Sequence, residues 1–150
     1  MGTLPYAKRF QDLVVYRKAR AMAREVFSLS QNFPRAETYS LTDQIRRASG
    51  SVGAQIAEAW GKRRYAKQFV NKLTDADSEQ LETQHWIALS FDRSYLTSED
   101  AVQLTDSCAE IGRMLGEMIQ RADAFCKAST PKQSEAKSPL TNQQSPTTDH

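Results

Sequence analysis

Apolar residues recur along this chain at three- and four-residue spacing, and nowhere do they alternate as in a half-buried strand. The first such segment runs from about Asp12 to Asn32, with Val15, Ala19, Met22, Val26 and Leu29 on one stripe and Tyr16, Ala23 and Phe27 beside it. Asp12 is the expected N-cap, Phe10 or Phe33 closes over the ends, and Pro34 stops the helix. The second opens at Ser40, with Asp43 as a weak capping-box partner, and its stripe is Leu41, Ile45, Ala48, Val52, Ile56 and Ala59. Small residues crowd this helix, Gly50 and Gly53 among them, which marks close approach to a neighbour, and Gly61 is the expected C-cap. The third runs from about Tyr65 to Asp92, with Phe69, Leu73, Ala76, Gln80, Thr83, Ile87 and Phe91 inward and Trp86 flanking. That is a rod of about 40 Å at 1.5 Å per residue. The fourth starts at an N-cap Ser98, with Glu99 and Asp100 suited to the dipole, and carries Ala101, Leu104, Cys108, Ile111, Leu115, Met118, Ala122 and Phe125.

Four helices joined by short connections predict an all-α fold, an antiparallel up-down-up-down four-helix bundle. Residues 1–9 read as an N-terminal extension and 10–126 as the bundle. From Lys127 to His150 only Ala128, Ala136 and Leu140 are hydrophobic, and three prolines interrupt a Ser/Thr/Gln/Lys-rich stretch. Such a segment buries too little surface to offset its ordering entropy, so 127–150 is expected to be a disordered polar tail. Leaving it out raises the hydrophobic fraction from 39% over 150 residues to the ordinary value for a domain. No apolar run approaches a membrane span or a signal-peptide core. Two cysteines are too few for a disulfide scaffold and suit a reducing cytoplasm.

Charge changes the picture more. The formal net charge of +2 conceals a segregation: residues 1–73 hold 14 Lys/Arg and 5 Asp/Glu, whereas residues 74–126 hold 3 and 11. A strongly basic half is joined to a strongly acidic one, and the subunit is expected to be electrically two-sided.

The segments FQDLVVYRKA, NFPRAETYSLTDQIRRASGSVGAQIAEAWGKR, FVNKLTDADSEQLETQHWIALSF and EIGRMLGEMI, spanning about residues 10–125, resemble the four-helix-bundle family of 23S rRNA intervening-sequence proteins. The Phe-Pro turn, the D-Q-I-R-R-A-S helix start and the I-A-E-x-x-G-K-R exit carry that resemblance together. It departs at Gln55, where the family often has Asn, at Ala59, where it often has Gly, and at Ala76-Asp77-Ser78, where Gly-Ser-Leu is common. The resemblance implies a cyclic homo-oligomer, a homopentameric ring. It also implies similarity to the accessory variability determinant protein of diversity-generating retroelements, a basic pentamer that binds nucleic acid and a reverse transcriptase. For most members no biochemical role is defined.

The basic residues are the leading candidates for function. Arg17, Arg20 and Arg24 share one face of the first helix, and Arg46, Arg47, Lys62, Arg63, Arg64 and Lys67 lie on the second helix and around its exit. Guanidinium and ammonium groups neutralise phosphates and release counterions, the chemistry of RNA or DNA binding. A solvated face, with favourable positive charge at a helix C-terminus, accounts for Lys62 to Arg64 as well. A third reading is subunit pairing: Asp75, Glu79 and Glu82 form an acidic stripe that a ring would set against a neighbour's basic surface, with Trp60 and Trp86 as core or interface anchors. Glu82 and His85 form one Glu-x-x-His, half of what a di-iron bundle needs, so no metal or other cofactor is expected; only a ring would bring copies of His85 together. Cys108 and Cys126, placed on one helix 18 residues apart, are too distant to pair, and Cys108 reads as core. Glu58 has no second carboxylate and reads as a structural hydrogen-bonding residue, with Arg46 or Arg47 of a neighbour as partner. No phosphate loop, catalytic triad or Cys-x-x-Cys is present. The expected function is a non-enzymatic scaffold contacting RNA or DNA, as an accessory to a reverse transcriptase or an rRNA-associated element. The alternative is a protein-interaction module whose two faces serve ring assembly and partner docking.

Overall fold

The structure is a computed structural model that describes residues 7–127. The first six residues of the N-terminal extension, and all but the first of the polar tail, lie outside them. Among the described residues there are four long helices and no strand.

Helix α1 spans Val14–Ser30 behind a 3-10 turn at Phe10–Asp12. Asp12 does not cap it. Its carboxylate accepts the backbone N–H of Lys8 at 3.1 Å and of Arg9 at 3.3 Å, and those bonds hold it below the usual carboxylate range. The cap position falls to Leu13, which has no side-chain oxygen to offer. α1 stops at Ser30, before Pro34, and the chain runs through a second 3-10 turn at Arg35–Glu37. α2 spans Leu41–Gly61. Ser40 precedes it as expected, but its hydroxyl donates back to the Glu37 carbonyl at 3.3 Å, and Asp43 is taken by Arg47 at 2.9 Å. Gly61 is the last helical residue rather than a left-handed cap; Lys62 ends the helix with φ −99°.

α3 spans Ala66–Asp92, a single rod as the pattern predicts. Its inward positions are Phe69, Leu73, Ala76, Gln80, Thr83 and Ile87, then Ser90 in place of the expected Phe91, which is 47% exposed. The stripe advances by alternating steps of four and three residues. A second four-residue step, from Ile87 to Phe91, leaves Phe91 about 80° round the helix from Thr83, whereas the three-residue step to Ser90 returns to within about 20° of Thr83. The Ser90 hydroxyl is satisfied inside the helix by the Trp86 carbonyl at 2.7 Å.

α3 ends in a Schellman turn. Tyr95 N–H reaches the Ser90 carbonyl, Ser94 N–H reaches that of Phe91, and Ser94 takes the left-handed conformation at φ 65°. A side chain there costs about 1 kcal/mol that glycine does not pay. Ser94→Gly is therefore expected to raise the unfolding free energy by about 0.5–1 kcal/mol, read as a higher urea midpoint at unchanged slope.

α4 spans Ser98–Gln120 and is capped one residue earlier than the sequence indicated: the Thr97 hydroxyl accepts the Asp100 N–H at 3.1 Å. The chain breaks at Arg121, so Phe125 and Cys126 sit on a separate short helix, α5, Ala122–Lys127. α1 packs on α2 and α4, α3 packs on α2 and α4, and α5 lies on α3, where Phe125 stacks on Phe69. The core is aliphatic and continuous, with Val15, Met22, Ile45, Ile56, Leu73, Leu104, Ile111 and Leu115 almost wholly buried. Each such side chain contributes about 1.5–3 kcal/mol by leaving water.

Candidate functional site

The structure divides the predicted basic set. Arg17, Arg20 and Arg24 are all exposed along α1. Arg17 is tied to the N-terminal turn through the Gln11 carbonyl at 3.0 Å, and Arg20 stands 5.9 Å from the Tyr16 ring. Arg46 is held between two helices: Nε donates to Ser30 Oγ at 2.8 Å, and the guanidinium lies 4.5 Å over the Phe27 ring. Arg47 pairs with Asp43 on its own helix. These two arginines are near the start of α2, whereas Lys62, Arg63, Arg64 and Lys67 surround its end, about 24 Å along the axis.

That second group sets four basic residues within positions 62–67. Lys62, Arg64 and Lys67 are exposed and form no ion pair with a described residue. Arg63 is different. Its Nε donates to the Trp60 carbonyl at 2.9 Å, its guanidinium lies 3.5 Å over the Trp60 ring, and burial draws its pKa below the ordinary value. Arg63 thus belongs to the fold more than to the surface. Tyr65, between the basic residues, is 53% exposed, with the Arg64 guanidinium 5.8 Å from its ring. No acid occupies the first turn of α3. The nearby Glu58, on α2, is bound to Lys72 of α3 at 2.8 Å; that bond lowers the Glu58 pKa and raises that of Lys72. The expected partner was Arg46 or Arg47 of a neighbour; within its own chain Glu58 pairs instead with Lys72.

The acidic stripe is also present. Asp75 and Glu82 are exposed and Glu79 is half-buried between them. Burial, a hydrogen bond with Glu82 and the charges of Glu82 and Asp75 push the Glu79 carboxyl above its usual range. Like charges are crowded here, while elsewhere Lys18 of α1 meets Glu110 of α4 at 2.9 Å.

Sequence reasoning missed a polar string beneath this stripe. Gln80 is 3% exposed; its Nε2 donates to Asp77 Oδ1 at 2.8 Å and its Oε1 accepts Gln84 Nε2 at 2.7 Å. α4 crosses it at Gly112, where a Cβ would lie 2.7 Å from Gln80 Nε2 and 3.2 Å from Asp77 Oδ1. The signal was there in part: a glutamine on an apolar stripe, with an aspartate three residues before it and a glutamine four after.

Trp60 and Trp86 both pack half-buried against the core, and Trp86 Nε1 is buried with no hydrogen-bond partner. His85 is exposed, edge-on to Trp86. Among the described residues no three His, Cys, Asp or Glu converge closely enough to hold a metal ion. Cys108 and Cys126 are buried and not joined by a disulfide, and burial pushes the Cys108 thiol up to about 12, out of the reactive range. Among the described residues no helix is long and apolar enough to cross a membrane.

A solved crystal structure from Bacteroides thetaiotaomicron, of a protein of unknown function from the S23 ribosomal protein family, is similar to this chain. It is 29% identical, covers 71% of this chain and 99% of its own, and superposes with a TM-score of 0.65. No curated protein matches the chain. The family described as 23S rRNA-intervening sequence protein matches residues 11–117, which take in α1, α2, α3 and most of α4 together with the basic turn and the acidic stripe. With most of its length matched in this way, the chain belongs to the family of 23S rRNA-intervening sequence proteins.

Proposed function

We propose that this protein is a non-enzymatic cytoplasmic scaffold: an antiparallel up-down-up-down four-helix bundle, assembled as a cyclic homopentamer, whose basic surface contacts RNA or DNA. Side-chain register supports the bundle. Arg46 meets Ser30 while Gly53 faces Tyr16, so residue numbers rise along α2 as they fall along α1. Lys72 meets Glu58 and Gln55, and Gly112 faces Gln80, which fits the same alternation. The observation that carries the nucleic-acid reading is the exposed set Lys62, Arg64 and Lys67, with no ion-pair partner among the described residues. The partner such a scaffold would serve is an rRNA-associated element or a reverse transcriptase.

A second reading, in which the charges serve assembly and partner docking alone, is favoured by the crowding at Glu79, a site that an incoming cation would relieve. One experiment separates the two. Light scattering gives the oligomer mass, and fluorescence polarisation follows a labelled single-stranded oligonucleotide across a salt series. The nucleic-acid reading expects binding whose log affinity falls linearly with log salt. No binding at low salt by an intact oligomer leaves the docking reading, and tight binding that ignores salt removes both.

A further inference from the structure

Two aromatic rings flank the α2–α3 turn, and they are in different states. The face of Trp60 is occupied by its own chain: Arg63 covers it at 3.5 Å and is held there by the Trp60 carbonyl. Tyr65 is not closed off in this way. It is 53% exposed, and the Arg64 guanidinium stands 5.8 Å from the ring centre, well beyond the 3.5 Å at which Arg63 covers Trp60. Its backbone is nonetheless fixed, with N–H donating to the Lys62 carbonyl at 2.9 Å and C=O accepting the Phe69 N–H at 3.0 Å. The ring is an open apolar plate on a rigid stem, and within three residues on either side stand Lys62, Arg64 and Lys67, all exposed.

Cations bind the phosphates of single strands and of duplexes, whereas an open aromatic face discriminates between them. In a duplex every base already stacks on its neighbours, whereas an unpaired base has a face to give. We infer that the α2–α3 turn takes single-stranded nucleic acid in preference to duplex, one base stacked on Tyr65 and the adjoining phosphates held by Lys62, Arg64 and Lys67. This rests on the nucleic-acid reading above and narrows it to a strand class and a contact.

The test uses the full chain and fluorescence polarisation at low salt, with a labelled 20-nucleotide oligouridylate and a mixed-sequence RNA duplex of the same length. The oligouridylate is expected to bind more tightly than the duplex. Tyr65→Ala is expected to weaken it about tenfold, the loss of one base–aromatic stack, and to leave duplex binding within about twofold. Tyr65→Phe keeps the ring and is expected to restore the affinity. Duplex binding as tight as single-strand binding overturns the inference, as does a Tyr65→Ala protein that holds the oligouridylate unchanged; in either case nucleic-acid binding itself still stands. If neither probe binds, the nucleic-acid reading falls and the inference falls with it. Light scattering and circular dichroism accompany each variant, and a Tyr65→Ala protein of reduced oligomer mass overturns the inference by making Tyr65 a subunit contact.

Discussion

Gly112→Ala is expected to lower the unfolding free energy by about 1–3 kcal/mol, while Gly116→Ala, one turn further along the same helix, raises it by about 0.5–1 kcal/mol. Both changes gain the same helix propensity, so the difference in sign comes from what the methyl group meets. At Gly116 it meets nothing within 4 Å. At Gly112 it meets Gln80 Nε2 at 2.7 Å, and that amide cannot swing clear cheaply, because it is buried and bonded at both ends, to Asp77 and to Gln84. Moving it breaks hydrogen bonds worth about 1 kcal/mol each and leaves buried polar atoms unpaired, which outweighs the propensity gain. Urea denaturation of the two single variants checks the signs. In a Gln80→Ala background the obstacle is gone, so the penalty of Gly112→Ala should shrink by more than about 1 kcal/mol in a double-mutant cycle. Equal effects at the two glycines would show that the amide yields freely.

The largest effect on binding is expected from reversing the turn: Lys62→Glu, Arg64→Glu and Lys67→Glu together should reduce affinity for single-stranded RNA at least about 100-fold at low salt. Removing three phosphate contacts should also reduce the magnitude of the log–log salt slope by about 2, since each contact to a single strand releases about 0.7 of a counterion. No described residue is ion-paired to these three, so the change cuts no salt bridge; it costs α2 the favourable charge at its C-terminus, about 0.3–1 kcal/mol, and replaces the attraction of Lys62 for Glu58 by repulsion. Replacing the same residues by glutamine should give an intermediate loss. Arg46→Gln provides the contrast. That side chain bridges Ser30 and Phe27, so its loss should appear in thermal denaturation and much less in binding. Unchanged affinity in the reversed turn would move the contact to Arg17, Arg20 and Arg24.

The long helices were legible because burial imposes a period, and a period repeated over twenty residues survives a few exceptions. The boundaries were less so, because an end is decided by one residue's backbone angles and not by a repeat. Asp12 and Ser98 are good capping types, yet Asp12 is consumed by two amides upstream, and Thr97, also a capping type, begins α4 one residue sooner. Hydrophobicity favours Phe91 as the inward residue, whereas phase favours Ser90. At the candidate site, composition locates the basic cluster but cannot rank its members. Arg63 and Arg64 are neighbours of one residue type. Only the direction in which the turn leaves α2 lays the first across Trp60 and leaves the second at the surface. The partner of Gln80 was out of reach for a similar reason: it is the absence of a side chain, at Gly112, 32 residues away.

That α1 packs on α4 as well as on α2 has a consequence for how the chain is made. α1 ends at Ser30 and α4 at Gln120, so α1 waits for its second neighbour until α4 has been synthesised. At about 5–20 residues per second that interval is roughly 5–20 s. Until α4 is made, one flank of α1 lacks the helix it packs on, and Lys18 lacks Glu110.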